Sequence, residues 1–174
     1  MQNAADLKGG VCILQPYNAG IVIGHSNISI MILEEVIGDL FSAPPNVSLA
    51  HCVSADLAMR KGIAKTFKQA FGRVSELKEQ KAGVGGIAIL KDRERYVYNL
   101  VTKARYYLKP TLQTLRSSLE EMRSHMLRHN VYCVCMPQIG CGLDCLNWQQ
   151  VKGLIEEVFA DVHVNIVIYK LPEM

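Results

Sequence analysis

The chain is short of almost every feature that settles a protein's class at a glance. Its 174 residues include one tryptophan and six prolines, and its formal net charge is only +3. The 19 Lys and Arg are scattered among 16 Asp and Glu, so the dense basic patch of a dedicated nucleic-acid binder is missing and only a modest preference for anionic ligands is expected. No apolar run approaches the roughly 20 residues of a bilayer span, and polar residues interrupt each one, so no membrane segment is expected. Nor does the N-terminal stretch combine a basic start, an apolar centre and a small-residue cleavage site, which argues against a signal peptide. Zinc-ribbon spacing is absent as well. Of the six cysteines, Cys12, Cys52, Cys133 and Cys135 lie in apolar, strand-like runs, and all read as reduced thiols. Such thiols fit a reducing compartment, so nucleus or cytoplasm is the expected location.

What the chain does have is apolar substance. With 49% apolar residues in one domain's length, a single core can form without disulfides or a structural metal. No exposed apolar stripe is evident, and a monomer is expected. Residues 1–30 read as an amino-terminal extension, either a short hairpin built from Val11–Leu14 and Ile21–Gly24 or a loose segment. From about residue 31 strands alternate with helices. A strand ending near Val36 leads to Gly38-Asp39-Leu40 and a Pro44-Pro45 turn. Val47–Val53 is the next strand, and Gly62–Phe71 is a helix that Gly72 stops. Gly86–Leu90 and Arg95–Val101 form a hairpin about Lys91–Glu94. Pro110 opens the longest helix, with Leu112, Leu115, Leu119, Met122 and Met126 as its apolar stripe and Asn130 at its end. Val131–Met136 is a strand, Asn147 caps a further helix, and Val164–Tyr169 is the last strand. Strands interleaved with amphipathic helices imply helices on both faces of a mostly parallel sheet.

In such sheets ligands bind beyond the carboxyl ends of the strands. The run Met136-Pro-Gln-Ile-Gly-Cys-Gly-Leu-Asp144 is the most informative of these loops: Gly140 and Gly142 permit close backbone approaches, and the loop ends in a carboxylate. Lys103 directly follows another strand. A lysine beside a carboxylate in a partly desolvated cleft can attack a carbonyl carbon and form a transient Schiff base, whereas an exposed pair is only a salt bridge. Both readings stand on the residues alone. His51 and Cys52 are neighbours in a strand and point to opposite faces, so they do not form a catalytic dyad. His125 and His129 lie four apart on a helix, but no third metal ligand is apparent, and Cys141 and Cys145 read as packing residues.

Taken in order, Gly38-Asp39-Leu40-Phe41, Leu49–Ser54, Met59 with Gly62-Ile63-Ala64, Thr102-Lys103-Ala104-Arg105 followed by Lys109-Pro110-Thr111, Gln113–Glu121 and Met136–Asp144 resemble macrodomains. The resemblance is to the terminal ADP-ribose protein glycohydrolase branch and runs from about residue 33 to 171, so residues 31–174 are assigned to the macrodomain. It implies an α/β fold, a three-layer α/β/α sandwich around a mixed, mostly parallel six-stranded sheet. It also implies ADP-ribose as ligand. Asp39 would accept from the adenine amino group beside the backbone of Leu40, and Leu171 would close the adenine pocket. Ser54, Gly62, Ile63, Ala64 and Thr102 would line a wall, with Gln138, Ile139, Gly140, Cys141, Gly142 and Leu143 wrapped around the diphosphate and distal ribose.

In this branch Lys103 would attack C1″ of the distal ribose in its ring-opened form, and Asp144 would handle the protons. The implied reaction is hydrolysis of the ester between ADP-ribose and glutamate or aspartate side chains of mono-ADP-ribosylated proteins, with O-acyl-ADP-ribose deacylated as well. Poly(ADP-ribose) is a further partner the resemblance admits, a role in the DNA damage response accompanies it, and no metal or other cofactor is required. Two departures touch the ligand rim. Arg60-Lys61 stand where a glycine and a small residue are usual, and Gln138 stands where arginine is. Two rival functions share the pocket: a non-catalytic ADP-ribose reader and an ADP-ribose-1″-phosphate phosphatase. ADP-ribose linked to DNA is a further substrate that the charge pattern does not select.

Overall fold

The computed structural model describes residues 30–172, so the hairpin-or-extension reading of the start of the chain, and Cys12 with it, lies outside the described residues. Among the described residues there are six strands: β1 (Met31–Ile37), β2 (Ser48–Ser54), β3 (Ile87–Asp92), β4 (Arg95–Lys103), β5 (Cys133–Pro137) and β6 (Val164–Lys170). Four α-helices connect them: α1 (Gly62–Phe71), α2 (Val74–Glu79), α3 (Leu112–Arg128) and α4 (Trp148–Phe159). The strands form one sheet in the order β1-β6-β5-β2-β4-β3, parallel throughout except for the β3–β4 hairpin. This is the mixed, mostly parallel sheet that the sequence implies.

A parallel sheet needs both faces covered, and the alternation along each strand supplies two cores. Tyr98, Leu100, Ala50 and Ile166 pack with Leu115, Leu119 and Met122 of α3 and Ile155 and Phe159 of α4. Leu49, Val53, Val97 and Val101 point the other way, to Phe67 of α1 and Leu77 of α2. The result is the expected three-layer sandwich. Among the described residues no helix is long and apolar enough to cross a membrane, and Cys52, Cys135, Cys141 and Cys145 carry free thiols.

Beyond shifts of one or two residues at the ends of β2, β3, β5 and β6, local details differ from the sequence reading in three places. α3 starts at Leu112, and Thr111 is its cap: the Thr111 and Thr114 side chains each bond the other's backbone N–H. Pro110 therefore precedes the cap, and the helix stops at Arg128, before Asn130, whose φ is +54°. The second difference is α2, which the sequence did not reveal. Its six residues turn only Val74 and Leu77 inward, too few to show a helical period. Third, β4 runs on through Lys103, which is a strand residue.

His51 and Cys52 do point to opposite faces. His51 is fully buried, stacked on Phe67 with ring centroids 3.7 Å apart, and its Nε2 donates to Asn99 Oδ1 at 2.7 Å. Asn99 in turn donates to the carbonyl of Ala88 at 3.1 Å, so one polar chain ties β2, β4, β3 and α1. His125 and His129 stack at 3.8 Å, with His125 Nδ1 3.0 Å from the Tyr98 hydroxyl and His129 Nδ1 2.9 Å from the carbonyl of His125. Both pack edge-on against the Tyr96 ring, and both help to end α3.

Burial pushes His51 down to about 4, against the opposing effect of its bond to Asn99. Its folded value lies below its unfolded one, so the unfolded chain takes up a proton first as pH falls through 6.5 and stability is lost from there down to about 4. Denaturant unfolding at pH 7 and pH 5 is expected to show a loss of about 2 kcal/mol from this group alone. His51→Gln should be less stable at pH 7 but flatter in pH. An equal pH slope in the two proteins would assign the acid sensitivity elsewhere.

Candidate active site

Five parallel strands end on one edge of the sheet, and every ligand-site residue implied by the resemblance lies on or just beyond that edge or at the start of α1. Asp39 follows β1, Leu171 follows β6, Gln138–Asp144 follow β5, Ser54 ends β2 and Lys103 ends β4. From β1 to β4 is four inter-strand steps in the sheet order, about 19 Å at the usual strand spacing. A ligand lying across all five loops must be extended.

β2 and β5 part soon after they meet, which is where an open parallel sheet is expected to form its binding crevice. Their ladder contains only Ser48↔Val134 and Leu49↔Cys135, and beyond that the two strands carry no mutual pairing. Pro137, which has no N–H to offer a ladder, stands at this opening. The loop after it is wound tightly: Cys141 N–H donates to Gln138 O at 3.2 Å, Cys145 N–H to Gly142 O at 3.1 Å, and Leu146 N–H to Gly140 O at 2.8 Å. Gly140 has a φ of +71°, and a Cβ there would fall 2.8 Å from Leu146 Cδ1, so both backbone and space call for glycine. Ile139 is buried and anchors the turn. Lys109 straps the loop from outside, its Nζ donating to the carbonyl of Leu143. Gly62, where α1 begins, has a φ of +57°, and a Cβ on it would sit 3.4 Å from Leu143 Cδ1. The Gly62-Ile63-Ala64 turn and the glycine loop therefore meet.

Lys103 and Asp144 also meet. Lys103 Nζ donates to Asp144 Oδ1 at 2.5 Å, and the two side chains are only 13% and 14% exposed. The exposed salt bridge left open by the sequence is thus replaced by a largely covered pair. A bulge helps to produce it. The register runs Val53↔Val101 and then Ser54↔Lys103, so β4 carries Thr102 as an extra residue, and bulges re-aim the side chains beside them. The amide of Ala55 donates to the carbonyl of Lys103 at 2.9 Å and fixes the strand end.

Around the pair, Thr102 is buried behind Lys103. Burial pushes the Cys52 thiol up to about 12, with the nearby Asp144 charge adding to it, and burial alone takes Cys141 to about 11. Both stay protonated at neutral pH and pack as small residues. Ser54 is buried and donates to Asp56 at 2.5 Å. Asp56, which nothing in the sequence singles out, also accepts from the amides of Ala58 and Tyr106, each at 3.3 Å. Burial works to raise its carboxyl, but those hydrogen bonds and the nearby Arg105 hold it below the usual range. At the far end Asp39 is exposed and accepts from its own Phe41 amide at 3.0 Å, capping the short turn Leu40–Ser42, while Leu40 is buried and Leu171 exposed. Glu35 was also missed. It accepts from Lys170 at 2.5 Å and Lys152 at 2.9 Å, bonds that hold its carboxyl down at about 2 and lock β1 to β6 and α4.

The Macro domain family model matches residues 50–155. The chain belongs to the macro domain family. It is 49% identical over 134 residues to ADP-ribose glycohydrolase OARD1 of Homo sapiens and of Bos taurus, covering 77% of this chain and 88% of theirs. Among solved structures, the macrodomain of Thermus aquaticus DarG superposes with a TM-score of 0.72 at 25% identity, over 80% of this chain and 99% of that one. In this macro domain the loops after β1, β2, β4, β5 and β6 leave from the same edge of the sheet.

Gly140→Ala is expected to destabilise the fold by about 1–3 kcal/mol, because the new methyl meets Leu146 and the backbone must hold a left-handed conformation. Thermal melting measures this. Gly142→Ala is the control: nothing lies within 4 Å of a Cβ there, and a near-wild-type melting temperature is expected.

Proposed function

We propose that the chain is an ADP-ribosyl ester hydrolase that releases ADP-ribose from glutamate and aspartate side chains of mono-ADP-ribosylated proteins and deacylates O-acyl-ADP-ribose. The observation that carries this is the Lys103–Asp144 contact at 2.5 Å on the edge where an extended nucleotide-sugar would lie. Relatives named ADP-ribose glycohydrolase, at 49% identity, support the hydrolase reading.

The chemistry follows from the pair. A lysine attacks carbon only as the free amine, and Asp144 is the acceptor within reach of its proton. The Nζ lone pair bonds to C1″ of the distal ribose, the bond from C1″ to the ester oxygen breaks, and the protein's carboxylate leaves with the electron pair. The ring opens after this attack and not before it, because C1″ bearing the ester is an acetal carbon of the closed ring; loss of a proton and ring opening then give an imine. Water adds to it, and the amine departs as ADP-ribose is freed. Asp144 takes and returns the protons, and no metal or redox partner enters the balance.

The rest of the edge supplies binding. Asp39 receives the adenine amino group beside the Leu40 backbone, and Leu171 covers that end. Ser54, Thr102 and the Gly62-Ile63-Ala64 turn belong to the wall, and the loop from Gln138 through Ile139, Gly140, Cys141, Gly142 and Leu143 encloses the diphosphate and ribose. Main-chain N–H groups and a helix start supply the positive potential that a net charge of +3 does not. The same reading gives a monomer acting in the nucleus or cytoplasm.

Lys103→Ala and Asp144→Ala are each expected to lower kcat on a glutamate-linked mono-ADP-ribosylated protein on the order of a thousandfold or more. Borohydride added during turnover should leave one reduced ADP-ribose on Lys103, seen by mass spectrometry. Full activity of Lys103→Ala removes the lysine from the mechanism. Tight ADP-ribose binding without turnover of any ester would make the protein a reader, and phosphate release from ADP-ribose-1″-phosphate without ester cleavage would make it a phosphatase.

A further inference from the structure

The loop leaving β4 carries a group of side chains that no step above uses. Residues 104–109 are exposed throughout, and the apolar ones stand well out, with Tyr106, Tyr107 and Leu108 at 49%, 67% and 43%. Exposed aromatic residues in sequence cost solvation unless something covers them. Yet this loop is tied down. The Tyr106 amide donates to Asp56 Oδ2 at 3.3 Å, the Leu108 amide to Arg105 O at 3.0 Å, and Lys109 reaches the carbonyl of Leu143. The Arg60 guanidinium lies 5.5 Å from the Tyr106 ring centre, so the loop after β2 and the loop after β4 join in one rim.

The charge of that rim has one sign. Arg60, Lys61, Arg105 and Lys109 are all exposed. The one carboxylate in these two loops, Asp56, is committed to three hydrogen bonds, and Asp144 of the neighbouring glycine loop is committed to Lys103. The rim also has a fixed place, starting one residue beyond Lys103. Whatever is joined to C1″ of the sugar must leave past it.

We propose that this aromatic and cationic rim is the docking surface for the acceptor protein, and that it selects modified glutamates flanked by further acidic residues. The proposal rests on the ester-hydrolase reading. Carboxylates of the flanking residues meet Arg60, Lys61 and Arg105, and the peptide's aliphatic parts cover Tyr107 and Leu108. Single-stranded nucleic acid fits the geometry less well. Successive bases stack on ring faces presented side by side, whereas Tyr106 and Tyr107 stand at 89° with centroids 5.3 Å apart, and Arg60 already lies over Tyr106.

The test uses two peptides, each with one ADP-ribosylated glutamate, flanked by Glu and Asp in one and by Ser and Gly in the other. Wild-type protein is expected to favour the acidic peptide by about tenfold in kcat/KM, chiefly through KM, with the gap narrowing in high salt. In the double variant Tyr106→Ser, Tyr107→Ser the preference should shrink by about half or more on the logarithmic scale, while O-acetyl-ADP-ribose, which has no peptide, is cleaved at the wild-type rate. A parallel loss on O-acetyl-ADP-ribose, or equal kcat/KM for both peptides in wild type, overturns the proposal. Fluorescence anisotropy with the acidic peptide lacking ADP-ribose gives a readout independent of turnover. Binding weakened by the double variant supports docking, and absent binding, or tighter binding of an oligodeoxynucleotide of equal length, overturns it. If wild type cleaves neither substrate, the hydrolase reading fails, and the anisotropy result alone decides whether the rim docks acidic protein.

Discussion

The bond between Lys103 and Asp144 joins residues 41 positions apart, and it forms only because β4 and β5 run in the same direction and finish on the same edge. In between, the chain must cross back along α3, whose stripe from Leu115 to Met126 buries it against the sheet. A flaw in that packing would move the end of β5, and the acid with it. Taking two charges out of water is unfavourable unless each finds its partner at hydrogen-bonding distance. The pair is therefore held by the fold and contributes little to holding it. That is the arrangement expected where a reactive amine and its proton acceptor must be kept together.

The second constraint is the division of labour across the sheet. One core, beneath α3 and α4, supports the end of β5; the other, beneath α1 and α2, supports the end of β2. The two strands separate after a short ladder, so each wall of the crevice is backed by its own layer. The polar chain His51–Asn99–Ala88 runs through the second layer and fixes the register of the strands that carry Ser54 and Lys103.

Much of this was legible in the sequence, for definite reasons. Long amphipathic repeats mark α1, α3 and α4, and hydrophobic runs mark the inner strands, because those segments bury a whole face and their period is set by that burial. Thr102-Lys103 and Gly140 to Asp144 drew attention because their residue types serve few purposes in a strand end or turn. The short α2 escaped because two inward residues define no period. The bulge at Thr102 escaped because it is a property of paired registers, and no single strand records it. Asp56 and Glu35 were invisible for a related reason: an acid becomes a clamp only when donors distant in the chain surround it, as the amide of Tyr106 does for Asp56 and Lys152 and Lys170 do for Glu35. Arg60 and Lys61 stand out in the sequence as departures from the family pattern, whereas the Tyr106 ring is brought beside Arg60 only by the fold.

The glycine loop is wound by three main-chain bonds of its own and strapped by Lys109 before anything binds. Its ordering entropy has been settled during folding. A guest entering such a mould loses only its own freedom, and none of its affinity is diverted to closing a lid. On the function proposed above, recognition at this end of the crevice is a fitting into a rigid seat, in which a slightly wrong ligand meets a wall that does not yield.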